Sequence, residues 1–135
     1  MKKVEHIGIA VRSLDQSVPL YEKLLHTPCY KRETVDSEQV DTAFFLQGDT
    51  KIELLQSLNP EGVIARFIEK KGEGMHHIAF EVDDIHAEMA RLRQEGFELL
   101  NPEPKKGADN KLICFLHPKG TGGVLVELCM EIKSP

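Results

Sequence analysis

His6-Ile7-Gly8-Ile9-Ala10-Val11-Arg12-Ser13-Leu14 lies, class for class, on His77-Ile78-Ala79-Phe80-Glu81-Val82-Asp83-Asp84-Ile85, at a constant shift of 71 positions. An internal repeat decides the fold before any single element does, because each copy has the same apolar face to bury. In both copies apolar residues first alternate as in a half-buried strand. Ser13 or Asp84, both helix N-cap types, follows. Leu14, Val18 and Tyr21 then recur as Ile85, Met89 and Leu92, the i, i+4, i+7 spacing of one helix face. Ser13 and Gln16 also fit a capping box. Pro19 falls inside the first helix, where its missing N–H and its ring predict a bent or shortened element.

Further out, Lys51-Ile52-Glu53-Leu54-Leu55 corresponds to Leu125-Val126-Glu127-Leu128-Cys129 at a shift of 74. Each copy therefore closes on an apolar strand that carries one glutamate. Strand-like runs precede these closing strands, Thr42 to Leu46 before Gly48-Asp49 and Leu112 to Leu116 before Pro118-Lys119-Gly120. Each copy reads β-α-β-β-β, and the fold class is α+β. Between them Asn59 to Gly74 contains Val63, Ile64, Phe67 and Ile68, which predict a short bridging helix. The organisation expected is a single domain over residues 1–135, with a module over about 1–58, a linker helix over about 59–73 and a module over about 74–135. A unit of about 60 residues is marginal alone, so the modules are expected to share one pseudo-symmetric structure or to pair with a second chain.

Strand alternation assigns the polar residues. Ile7, Ile9 and Val11 share the helix-facing side of the first strand, so His6, Gly8 and Ala10 face away from it. By the same count His77 opposes Ile78 and Phe80, Glu53 opposes Ile52 and Leu54, and Glu127 opposes Val126 and Leu128. One histidine and one glutamate thus fall on the non-core face of each module, and a mixed sheet curved around that face gathers two of each. A lone strand histidine is ordinarily a hydrogen-bonded structural residue, whereas the recurrence in register points to a divalent cation. Imidazole nitrogens with carboxylate oxygens suit Zn, Ni, Co, Mn or Fe(II), and do not favour Cu(I) or Ca. In a six-coordinate shell, four protein ligands leave two positions for water or a chelating substrate.

Composition narrows the function classes. Lys and Arg number 17 against 22 Asp and Glu, a net charge of −5, which offers no positive field to a nucleic acid. No apolar run approaches the roughly 18–20 residues of a membrane span, and Met1-Lys2-Lys3-Val4-Glu5-His6 turns polar too soon for a signal peptide, so a cytoplasmic location is expected. Cys29, Cys114 and Cys129 are odd in number and lack CxxC spacing, which reads as reduced, structural thiols. His76 shares its side with Ile78 and Phe80 and is read as structural; His26 and His86 are read as surface residues, and Asp83 and Asp84 as caps.

In these segments, together with Gly48-Asp49-Thr50-Lys51, Gly74-Met75-His76-His77 and Phe115-Leu116-His117-Pro118-Lys119, the chain resembles the vicinal oxygen chelate superfamily over almost its whole length. The double histidine and the His-Pro-Lys run are most similar to its acyl-CoA epimerases. The resemblance implies paired βαβββ modules in a curved mixed sheet around a metal cleft, with His6, Glu53, His77 and Glu127 as the ligands. It implies a cobalt ion first, with Mn, Ni, Zn or Mg as alternatives, a small-molecule acyl-CoA substrate, and a homodimer. The implied activity is inversion of C2 of methylmalonyl-CoA: the metal chelates thioester and carboxylate oxygens, C2 loses its proton, and Glu127 serves as a base besides being a ligand. Several relatives carry a second glutamate as base for the opposite face, at the position of Thr42. Metal-bound water, Glu53 released from the metal, or a carboxylate reached by a shift of alignment are the replacements to weigh. Lys105, Lys106, Lys111 and Lys119 are candidates to meet coenzyme A phosphates, or else plain solvated lysines. The rival readings are a glyoxalase I-like lactoylglutathione lyase and a non-catalytic ligand-binding protein of the same fold.

Overall fold

Strand β1 (Lys3–Ala10) is followed by helix α1 (Leu14–Leu25), strands β2 (Lys31–Val35), β3 (Val40–Gln47) and β4 (Thr50–Ser57), and helix α2 (Val63–Lys71) in a computed structural model that describes residues 1–133. The second copy runs β5 (Gly74–Glu81), α3 (Ile85–Gln94), β6 (Lys105–Lys106), β7 (Lys111–Leu116) and β8 (Val126–Glu131). Contacts group the chain into two units, residues 6–76 and residues 1–5 with His77 onward. The chain is α+β and consists of two βαβββ modules.

In the unit of residues 6–76 the strand order is β2-β3-β4-β1, mixed because β1 runs parallel to β4 while β3 is antiparallel to both β2 and β4. Gly48 permits the two-residue hairpin between β3 and β4 through its φ of +61, which an L side chain rarely adopts. Val11, Leu14 and Val18 pack on Ala43, Phe45 and Leu54, with Ile9, Tyr21 and Leu25 around them, so the alternate residues of each strand turn away from α1. The Ser13 hydroxyl accepts from the Gln16 backbone N–H at 3.4 Å and caps α1. The bend or shortening expected at Pro19 does not end the helix, which is continuous over Leu14–Leu25. Pro19 and Asp15 are both exposed, so the Asp15 carbonyl that loses its helical donor faces water and the loss is cheap.

The other unit repeats the plan with order β6-β7-β8-β5, β5 parallel to β8 and β7 antiparallel to its neighbours. Val82, Ile85, Met89 and Leu92 pack on Cys114, Leu116 and Leu128. On the opposite face a smaller cluster joins Ala79, Ile113 and Cys129 with Phe115. Asp84 caps α3, its carboxylate accepting from the Ala87 N–H at 3.1 Å. Asp83, expected as a cap, instead pairs with the Lys2 amine at 3.1 Å, because the strand end brings residue 2 alongside residue 81. No helix among the described residues is long and apolar enough to cross a membrane.

Candidate metal centre

The four residues selected by the repeat form two matching pairs. In residues 6–76, His6 Nδ1 lies 3.1 Å from Glu53 Oε2, with side chains 7% and 4% exposed. In the other unit, His77 Nε2 lies 3.1 Å from Glu127 Oε1, with side chains 6% and 5% exposed. The strand rows that hold them repeat as well. Glu53 stands between Gly8 on β1 and Phe44 on β3, and Glu127 between Ala79 on β5 and Phe115 on β7. Each glutamate therefore has a small residue on one side and an aromatic ring on the other. The Phe115 ring meets the His77 imidazole edge-on at 5.7 Å and fixes its plane.

Two lone-pair donors at 3.1 Å repel unless a cation stands between them, be it a proton or a metal ion. A buried carboxylate beside a neutral imidazole leaves one negative charge in each pair, and burying such a charge is costly unless it is compensated. The donor set of imidazole nitrogen and carboxylate oxygen, repeated in each half, is of the type that suits a divalent first-row ion.

The remaining sequence candidates separate cleanly. His76 packs edge-on against Phe67 of α2 at 5.0 Å, a structural contact as expected. His117 accepts the Lys119 backbone N–H at 3.0 Å through Nδ1, so the His-Pro-Lys run forms a short capped turn over residues 117–121. His26 is an exposed left-handed helix cap with φ +53, and His86 is exposed. All three cysteines are free thiols; Cys114 is buried, and burial pushes its thiol above the usual range, against a nucleophilic role. The four lysines do not form one phosphate-facing group. Lys111 is 8% exposed, whereas Lys106 and Lys119 are exposed, and Lys105 is half-buried opposite Ile113, on the face of Glu127. Register divides them: residues 106 and 105 fall on opposite faces of one strand.

Two residues on the Glu53 face escaped the sequence reading. Glu33 on β2 lies directly opposite Thr42, which belongs with Phe44 to the side of β3 that faces Glu53. Lys31, on the same side of β2, approaches Glu33 at 3.4 Å and its amine lies 5.1 Å from the centre of the Phe44 ring. Asp41, as alternation requires, points the other way and accepts from the Thr34 hydroxyl at 2.6 Å. The available signal was the alternation in Lys31-Arg32-Glu33-Thr34-Val35, obscured because four of these five residues are polar.

The sequence profile of the Glyoxalase/Bleomycin resistance protein/Dioxygenase superfamily matches residues 5–115. An uncharacterized protein of Bacillus subtilis (strain 168) is 40% identical over 129 residues, covering 96% of this chain and 92% of that one. The mitochondrial methylmalonyl-CoA epimerase of Homo sapiens is 39% identical over 127 residues, 93% of this chain and 72% of that protein. Among solved structures, a variant methylmalonyl-CoA epimerase of Streptomyces coelicolor in complex with 2-nitronate-propionyl-CoA superposes with a TM-score of 0.92 at 32% identity, covering 98% of this chain and 99% of that one.

Proposed function

The chain belongs to the Glyoxalase/Bleomycin resistance protein/Dioxygenase superfamily, and on that ground we propose that it is an isomerase that epimerises methylmalonyl-CoA at C2, interconverting the R and S forms. The observation that carries the reading is the duplicated buried His–Glu pair, at 3.1 Å in each unit. Relatives named as epimerases of this substrate support it, at identities that extend over more than nine-tenths of the chain. In our reading His6, Glu53, His77 and Glu127 hold one divalent ion between them, cobalt first, with Mn, Ni, Zn or Mg as alternatives, and the two modules act as one functional domain. Such an ion, when bound, supplies positive charge to two adjacent substrate oxygens.

The chain's own groups do the rest. Glu127 takes the C2 proton: its carboxylate oxygen gains an O–H bond as the C2–H bond breaks, and the electron pair passes toward the thioester oxygen. The planar enolate so formed accepts a proton on either face, and return to the face opposite the loss inverts C2. A nitronate, the group held by the Streptomyces coelicolor relative, is a planar anion with its charge on two oxygens and resembles that enolate. Phe44 and Phe115 flank the two glutamates and keep water from their apolar sides. We assign the protein to the cytoplasm and to a homodimer on the same reading.

The test is NMR of one pure C2 epimer of methylmalonyl-CoA in heavy water, with protein stripped by chelator and then reloaded with Co, Mn, Ni, Zn or Mg. Metal-dependent conversion to the other epimer, with deuterium entering C2, is the expected result. Absence of both with every metal overturns the assignment.

A further inference from the structure

Lys111 is a buried charged side chain that the epimerase reading leaves unused. It is 8% exposed, and its amine has no hydrogen-bond or ion-pair partner among the described residues. Neither strand neighbour supplies one. Glu131, directly opposite on β8, is exposed and forms no ion pair with it, and Gly107, whose N–H donates to the Lys111 carbonyl at 2.9 Å from the other side, has no side chain to offer. A lysine is almost never shielded to this degree unless its charge is compensated. An ammonium that meets no carboxylate of its own fold is placed to receive an anion from outside it.

Register relates this lysine to Glu127 within one unit of the chain. Lys111, Ile113 and Phe115 alternate along one face of β7, and Phe115 is the partner of Glu127 on β8. Lys111 therefore stands on the Glu127 face, four residues from that row, about 13 Å at the rise of a strand. Lys105 shares the face. Strand β6 pairs it with Ile113, so Lys105 and Lys111 are diagonal neighbours, a spacing that long side chains bridge. Lys106 falls on the opposite face and Lys119 on the separate turn over residues 117–121, so register selects two lysines of the four.

We propose that Lys105 and Lys111 form an anion subsite that takes the phosphate groups of the acyl-CoA. The inference rests on the epimerase reading above for the identity of the ligand. A phosphoryl group carries several charged acceptor oxygens and suits two ammonium groups, each a compact charge with three donors. The separation fits as well. With the thioester beside Glu127, the pantetheine arm carries the phosphates away from the reacting carbon, over a length of the order that divides Lys111 from the Glu127 row. The phosphates then supply the negative charge that the shielded amine lacks.

The experiment is calorimetric titration of metal-loaded parent, Lys111→Met, Lys111→Arg and Lys105→Met with propionyl-CoA, propionyl-pantetheine and inorganic pyrophosphate. Propionyl-pantetheine keeps the acyl group and the arm and lacks every phosphate. Lys111→Met and Lys105→Met are each expected to bind propionyl-CoA about 10–100-fold more weakly, the share of a hydrogen bond to a charged group. Their affinity for propionyl-pantetheine is expected to match the parent's, and Lys111→Arg, which keeps the charge, to recover part of the loss. Lys111→Met is expected to melt no lower than the parent, since it removes an ammonium without a partner. Parental affinity for propionyl-CoA in both Met variants overturns the proposal, as a lysine with a shielded stem and a head in water would give. An equal loss for propionyl-CoA and propionyl-pantetheine also overturns it, and so does a parent that binds pyrophosphate as tightly as propionyl-CoA, which assigns the lysines to free anions. Binding is read without turnover. Lysine-dependent binding in a parent that inverts neither epimer of methylmalonyl-CoA with any metal supports the subsite and defeats the epimerase reading, so the two failures are told apart.

Discussion

Glu127 and Thr42 show two kinds of buried polarity in this protein, a carboxylate oxygen 3.1 Å from an imidazole nitrogen and a hydroxyl with no hydrogen-bond partner among the described residues. Replacing Glu127 by Gln removes a buried negative charge and keeps the side chain's shape. Turnover is expected to fall about 10²–10⁴-fold, while the metal-free variant melts no lower than the parent, because the amide oxygen can keep the contact to His77 Nε2 and no carboxylate charge stays buried. Calorimetry of the stripped proteins checks this, and a lower melting temperature would make the carboxylate a structural group. Thr42→Val puts a methyl where the unsatisfied hydroxyl stands and is expected to raise stability by about 1 kcal/mol, read by urea unfolding. The legibility of single residues followed the repeat. His6, Glu53, His77 and Glu127 were readable because each has a counterpart in register. Glu33 was not: the equivalent place in the second module, opposite Ile113 as Glu33 is opposite Thr42, is held by Lys105, so comparing the copies sets an acid against a base.

At the scale of elements, caps and helix faces were legible and short edge strands were not. Ser13 and Asp84 cap the helices that their spacing predicted, and Asp84→Ala is expected to cost about 1 kcal/mol. Strand β6 has only two residues and no periodicity to read, while the following Gly107 carries a constraint that sequence alone conceals. A Cβ there would stand 2.7 Å from Ile113 Cδ1 and 2.9 Å from its Cγ2, and a branched side chain on a paired strand has little room to retreat. Gly107→Ala is therefore expected to destabilise by about 1–3 kcal/mol, measured as a shift in the urea midpoint at unchanged slope. On α3, the hydrogen bond from Arg91 holds the Glu88 carboxyl below its ordinary value of 4.5. A depressed carboxylate contributes stability above its unfolded value, and that share is lost as pH falls below 4.5 through the folded value. Glu88→Gln is expected to lower stability at pH 7 and to flatten the acid-side decline, so that the two proteins converge once the pH has fallen below the lowered folded value of the Glu88 carboxyl.

For the molecule, duplication made the fold class readable: one strand-cap-helix pattern written twice specifies two βαβββ modules, and each module packs its helix on the alternate residues that the pattern names. The candidate ligands were legible to the same extent, since a buried His–Glu pair recurs in each module. The unrepeated features, Lys105 opposite Glu33 in module plan and the buried Lys111, lay beyond a reading based on repetition. The central claim is that two His–Glu pairs serve one ion. It is tested most directly by titrating the stripped protein with Co²⁺ while recording calorimetry and the visible spectrum of the cobalt. The account predicts one tightly bound ion per chain, with affinity falling sharply in Glu53→Ala and in Glu127→Ala alike. Two independent ions per chain, or an affinity that only one of the two substitutions affects, would contradict it.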